Sequence, residues 1–277
     1  MNGRGAPSPG RTALIAGQGA LPGILAAVLD APLIAALDGF APDGLSPDIT
    51  FRVERLVPFL DRLEQEGVTR VVFAGAVRRP RLDPALFDAA TAQLVPQLLA
   101  GMQSGDDAAL SAVISIFEEA GFTVAGIGQV APQLIPGPGV LAGKVTDADR
   151  RDAVRAAAVV AAMGAADVGQ GAVVAQGLCL AVEALPGTDA MLDFVARTGA
   201  ALRPDPSGPK GLLYKAPKPE QERRIDLPAL GLATIARAAD AGLGGIAWEA
   251  GGVLLLDREA MIEAAERAGL FLWSREP

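Results

Sequence analysis

The sequence predicts an α/β protein of two domains, and three observations carry that expectation. Short apolar runs rich in Val, Ile, Leu and Ala alternate with segments of helical periodicity, the pattern of a parallel sheet covered on both faces. Glycine and proline, 33 and 21 of 277 residues, punctuate these units as tight turns do. Residues 131–146 show no periodicity and hold Pro132, Pro136, Gly137, Pro138, Gly139 and Gly143, which marks a linker. The expected division is an N-terminal Rossmann-like parallel-sheet domain over residues 1–130 and a C-terminal mixed α/β domain over 147–277, with a cleft between them.

Residues 1–11 are rich in Gly, Pro and Ser and read as mobile. Residues 12–16 (TALIA) read as a buried strand that runs into Gly17-Gln18-Gly19. A helix follows over 22–29, with Pro22 at its first position, where the missing N–H is harmless. A strand is expected over 32–37. Leu56, Phe59, Leu60 and Leu63 fall at core spacing in a helix over 55–66. Residues 69–74 (TRVVFA) read as a strand ending in Gly75-Ala76-Val77-Arg78-Arg79-Pro80, and helices over 84–99 and 106–120 precede a strand over 122–126. Beyond the linker, a long Ala-rich helix is expected over 147–166, a hairpin from 172–175 and 178–184, and a helix over 189–198. Helices over 230–241 and 258–268 and strands over 245–248, 253–256 and 270–273 complete the chain.

Composition narrows the chemistry. A net charge of -8 argues against a nucleic-acid partner, because neutralising a phosphate backbone needs a basic face. The single cysteine, Cys179, allows no intramolecular disulfide and no zinc cluster. Histidine is absent, which removes Ser-His-Asp and Cys-His nucleophile systems and every His-ligated metal site. Any metal must sit on oxygens, which points to Mg²⁺, with Mn²⁺ as the alternative. The apolar run over 156–166 is well short of the ~20 residues that span a bilayer, and the apolar segment 13–16 is too short for a signal peptide. A cytoplasmic location is expected, with peripheral contact at the membrane face.

Cations gather in one place. Of four lysines, Lys210, Lys215 and Lys218 fall in the stretch 210–228, followed by Arg223, Arg224 and the carboxylate Asp226. Compact ammonium groups suit phosphate as point charges. Pro228 keeps Leu227 extended, and the neighbouring cations favour an ionised Asp226. A solvated salt-bridge network is the ordinary reading; metal-assisted phosphoryl chemistry is the functional one. Glu249, at the end of a strand, is a weaker candidate of the same kind.

The remaining candidates each have an ordinary explanation beside a functional one. Gly17-Gln18-Gly19 lies between strand and helix, where backbone N–H groups can hold an anion, although the full GxGxxG spacing is absent. Arg78 and Arg79 follow a strand's carboxyl end, where ligands of open α/β sheets bind. Asp106 begins a helix after Gly105 and can cap it or meet a ligand. Glu183 falls in an alternating strand on the face of Cys179 and Ala181. Thr188 suits an N-cap with Asp189 in the first turn. Glu183 and Asp189 could share a Mg²⁺.

The strings AGQGALPG, FAGAVRRP, GDDAALSAV, DVGQGAVV, AVEALPGTDAML, KAPKPEQERRIDLP and AWEAGGVLLLDREAM occur in this order. Together they closely resemble the histidine-free UDP-2,3-diacylglucosamine pyrophosphatases of lipid A biosynthesis, over residues 12–272. The resemblance implies two linked domains with substrate between them and Mg²⁺-dependent hydrolysis of UDP-2,3-diacylglucosamine to UMP and 2,3-diacylglucosamine 1-phosphate (lipid X). It also implies that Asp226, the Asp of the RxDLP string, is essential. Catalytic roles for Lys215, Asp189 and Glu183, metal ligation by Asp226 and Asp189, and substrate contacts by Gly17, Gln18, Gly19, Arg78, Asp106, Thr188, Lys218 and Glu249 complete the expectation, together with a homodimer. The alternatives are a non-catalytic nucleotide-sugar or lipid carrier and a nicotinamide-dependent oxidoreductase.

Overall fold

The computed structural model describes residues 10–78, 80–103, 106–219 and 221–277, Asp106 by its backbone only. Residues 1–9, read above as mobile, together with Arg79 and Gly105, lie outside the described residues. The chain divides into two compact units between Ala131 and Pro132.

In the first unit the described residues form a five-stranded, wholly parallel sheet with strand order β3-β2-β1-β4-β5. Its elements are β1 (Arg11–Ala16), α1 (Leu21–Val28), β2 (Leu33–Leu37), β3 (Ile49–Phe51), α2 (Leu56–Gln65), β4 (Val68–Ala74), α3 (Val95–Gln103), α4 (Asp106–Glu119), β5 (Thr123–Val124) and α5 (Ile127–Val130). The central strands bury nearly every residue, Ala13, Leu14, Val71 and Val72 fully, because helices must cover both faces of a parallel sheet. The order reverses between β1 and β4. Ligands of doubly wound sheets bind outside the carboxyl ends at such a switch point.

Two expectations fail here. The helix expected over 84–99 is instead a 3₁₀ turn at Pro84–Leu86, another at Thr91–Leu94, and α3 beginning at Val95. Pro96 explains the break: deep inside a helix its ring would collide with the carbonyl four residues back, whereas in a first turn it is harmless. Asp88 reinforces the interruption, its carboxylate accepting the N–H groups of Ala90 and Thr91 and the Thr91 hydroxyl. The unforeseen β3 is three residues long, too short to show a period, and exists by pairing with β2.

The second unit contains β6 (Gly139–Ala142), α6 (Asp147–Ala165), β7 (Gly171–Ala175), β8 (Leu178–Val182), α7 (Gly187–Leu202), β9 (Leu212–Lys215), β10 (Ala229–Leu230), α8 (Leu232–Asp240), β11 (Gly245–Glu249), β12 (Leu254–Leu255), α9 (Arg258–Ala268) and β13 (Phe271–Arg275). Six strands form a mixed sheet in the order β6-β13-β11-β9-β7-β8. β9, β11 and β13 run parallel, while β6 and β7 run antiparallel to their neighbours. β10 and β12 pair separately. One face packs Leu213, Ile246, Trp248 and Leu272 against α7, α8 and α9. The other packs Tyr214 and Ala247 against α6.

α6 starts where Thr146 and Asp149 form a capping box. One turn further along, the buried Asp152 accepts the N–H groups of Gln176 and Gly177 at 2.9 and 2.7 Å. Those two residues, at φ 54 and 78, make the two-residue turn of the β7–β8 hairpin. A carboxylate on a helix thus fixes the hairpin whose second strand leads to Glu183.

Candidate active site

Lys215 is the last residue of β9, a strand buried along its whole length. The cationic stretch therefore begins as a central sheet strand, which its charge conceals in the sequence. The Lys215 Nζ donates to Thr188 Oγ1 at 2.7 Å and lies 3.5 Å from Glu183 Oε2. Lys215 is 4% exposed and Glu183 8%. Three candidates from β9, the first turn of α7 and the residue after β8 thus converge.

Glu183 does not keep the strand alternation expected of it. The β7–β8 register shifts between Val173 and Val174, so Cys179 is exposed while Glu183 turns inward. Its N–H donates to Gly171 O at 2.8 Å. A side chain at Gly171 would place Cβ 2.4 Å from Glu183 Oε2, so the carboxylate as it stands uses the space that glycine leaves. Among the described residues Oε2 has no hydrogen-bond donor. A buried carboxylate in that state depends on the nearby ammonium charge.

Asp226 lies in the loop that leaves β9, and its Oδ2 accepts Gln221 Nε2 at 2.5 Å. Gln221 is 6% exposed, and its Oε1 accepts the Lys218 backbone N–H at 2.8 Å. Lys218, Arg223 and Arg224 each contact an acid as well. Lys218 Nζ meets Asp167 Oδ1 at 2.5 Å, and Arg223 meets Glu249 Oε1 at 3.0 Å. Arg224 grips Glu222 through two nitrogens, at 2.9 and 2.8 Å. That side-chain contact holds the Glu222 carboxyl below the usual carboxylate range.

Asp189, next to Thr188, faces α8 instead: its Oδ2 is 3.3 Å from Arg237 Nε, and Asp193 joins the same guanidinium at 2.6 Å. Among the described residues no group of three or more Cys, Asp or Glu side chains could hold a metal ion. Mg²⁺ is commonly bound by one or two carboxylates with substrate phosphates completing its shell. Asp226 fits that smaller donor set.

In the first unit, the Gly17-Gln18-Gly19 turn is built by close approach. The N–H of Gly17 donates to Ala74 O, and Gln18 and Ala76 exchange two bonds of 2.9 Å. A Cβ at Gly17 would sit 2.6 Å from Ala76 O, and one at Gly75, φ 92, 2.7 Å from Gln18 O. The Gly19 N–H donates to Asp43 Oδ2 at 3.1 Å. All three amides are used within the protein. Arg78 is exposed after β4, and Asp106 begins α4.

Models of the LpxI N-terminal domain and the LpxI C-terminal domain match residues 11–134 and 137–273. The chain belongs to the LpxI family. It is 43% identical over 272 residues, 95% of this chain and 97% of the relative, to the UDP-2,3-diacylglucosamine pyrophosphatase LpxI of Caulobacter vibrioides. The family indicated by the ordered strings is borne out.

The chain also carries features that the sequence leaves unmarked. Gln221 is one residue of a polar run, and only the fold shows it holding Asp226. An apolar groove of about 290 Å³ lies between β8 and α7, lined by Val182, Met191 and Phe194 among others. Gly187, beside Thr188, lines its end. No described helix is long and apolar enough to cross a membrane.

Proposed function

We propose that this chain hydrolyses the pyrophosphate bond of UDP-2,3-diacylglucosamine to UMP and 2,3-diacylglucosamine 1-phosphate (lipid X), a step of lipid A biosynthesis. The relative that carries this activity in its name supports the reading. The observation in the fold that supports it best is Asp226, held by the Gln221 amide in the loop leaving β9.

Asp226 orients a water for attack on phosphorus and takes up its proton. The water oxygen bonds to phosphorus, the bridging P–O bond breaks, and both products leave as phosphate monoesters. Lys215 supplies positive charge beneath the first turn of α7, where it also fixes Thr188. Mg²⁺, or Mn²⁺ in its place, neutralises charge on the pyrophosphate when bound. Asp226 is the ligand we assign to it; Asp189 joins only by releasing Arg237. Glu183 acts through Lys215 rather than on substrate.

Lys218, Glu249, Arg78, Asp106 and the Gly17-Gln18-Gly19 turn are the further substrate contacts in this reading. The apolar groove beside Thr188 accommodates an acyl chain. Leu185, 97% exposed, and the half-exposed Val182 and Phe194 form an apolar surface suited to peripheral membrane contact. A homodimer remains part of the proposal.

Purified protein incubated with UDP-2,3-diacylglucosamine and Mg²⁺ is expected to release UMP and lipid X in equal amounts, and a chelator is expected to stop the release. Binding without product would instead indicate a carrier.

A further inference from the structure

A second pocket, of about 240 Å³, opens in the first unit at the carboxyl ends of β2 and β3, lined by Asp38, Phe40, Arg52, Glu54 and Arg81 among others. Asp38 directly follows β2. In doubly wound sheets, an acid at the end of the second strand, about 20 residues past the glycine turn after the first, accepts hydrogen bonds from a ribose. Asp38 stands in that place relative to Gly17-Gln18-Gly19.

The carboxylate is also held ready. Arg52 donates to Asp38 Oδ2 at 2.7 Å. Arg52 Nε is 3.4 Å from Glu54 Oε2 on its other side. Glu54, 2% exposed, is itself fixed by the Asp83 N–H at 2.9 Å. Asp38 remains about half exposed. Phe40 lines the same pocket and is an aromatic residue of the kind on which bases stack.

A phosphate is the poorer occupant of the glycine turn itself. The three amides of the glycine turn are engaged, and Asp43 places a negative charge on the Gly19 N–H where an anion would sit. In the pocket Arg52 is engaged by Asp38 and Glu54, and the hydroxyl donors of a neutral nucleoside match the Asp38 carboxylate.

We propose that the pocket at the ends of β2 and β3 binds the nucleoside half of a ribonucleotide, with Asp38 accepting hydrogen bonds from the ribose hydroxyls. This rests on the uridine nucleotide named under Proposed function.

The test is calorimetric binding of UMP and of 2′-deoxy-UMP to the full chain. The parent is expected to prefer UMP by roughly tenfold, the scale of one hydrogen bond to a charged group. Asp38→Asn and Asp38→Ala are expected to abolish that ratio by weakening UMP alone. Damage to folding alone would lower the fraction of protein that binds either nucleotide without restoring the preference in the fraction that remains folded. An unchanged ratio in Asp38→Ala, equal affinities in the parent, or no UMP binding overturns the proposal. Hydrolysis measured alongside separates the two readings: lipid X release without ribose selectivity sinks this inference alone. Asp38-dependent selectivity without lipid X release sinks the activity alone.

Discussion

Gln221 donates its side-chain amide to Asp226 at 2.5 Å while its oxygen accepts the backbone N–H of Lys218 at 2.8 Å. The backbone group can only donate, so the amide has one orientation, with its NH₂ toward the carboxylate. A buried side chain thus ties the position of Asp226 to the loop backbone. Gln221→Ala is expected to lower kcat roughly 10- to 100-fold with little change in KM, because a displaced reacting group loses alignment while substrate contacts stay. Steady-state kinetics on UDP-2,3-diacylglucosamine make the check. An unchanged kcat would show that Asp226 needs no such tie.

The pairing of Lys215 with Glu183 leads to a stability experiment. Lys215→Met leaves a buried carboxylate uncompensated and is expected to destabilise the second unit by about 3–5 kcal/mol. Replacing both, with Lys215→Met and Glu183→Leu, is expected to recover most of that loss. Urea unfolding of the two single variants and the double variant gives the coupling. Additive effects would mean that the two charges do not support one another.

Much of this architecture is legible in the amino-acid sequence. Alternating apolar strands and helical segments indicate both α/β units, since periodicity records which faces must be buried. Asp226, Lys215 and Glu183 stand out because charges beside apolar strands need partners. What stays hidden depends on three-dimensional context. Lys215 conceals a buried strand, as its charge is tolerable there only through Glu183 and Thr188. The shifted β7–β8 register moves Glu183 inward against its apparent alternation. Asp189 is attractive as a metal ligand by proximity in sequence, yet Arg237, reaching from α8, engages it. Gln221 carries no motif that separates it from ordinary polar loop residues, and Asp38 has only its spacing from an incomplete glycine turn.

The two loops after β1 and β4 pack backbone against backbone, which sets a limit on side chains there. Gly75→Ala combines a φ of 92 with a Cβ only 2.7 Å from Gln18 O. A loss of about 1–3 kcal/mol is expected from backbone strain alone. Gly19→Ala, at φ 95 but with nothing near its Cβ, is expected to cost less. Thermal unfolding of both variants tests the order, and the reverse order would refute the close-approach account.

Glu54 gives the first unit an acid-sensitive component. Burial pushes its carboxyl up, but the Asp83 N–H, its own backbone N–H and Arg52 outweigh burial and hold it below the ordinary value. Its contribution is therefore fully present above the ordinary carboxylate range and disappears as pH falls through the depressed folded value. Glu54→Gln is expected to be less stable at neutral pH and to lose stability less steeply on acidification. Denaturant unfolding across that range measures both slopes. Parallel curves for parent and variant would contradict the assignment.

The most direct measurement concerns Asp226 itself. Asp226→Asn keeps the size of the side chain and an oxygen for Gln221, but removes the charge. With UDP-2,3-diacylglucosamine and Mg²⁺, the variant is expected to bind substrate and remain folded while release of UMP and lipid X falls by at least about a thousandfold, the scale on which acid–base and electrostatic contributions combine. Release from Asp226→Asn at the parent's rate would contradict the account.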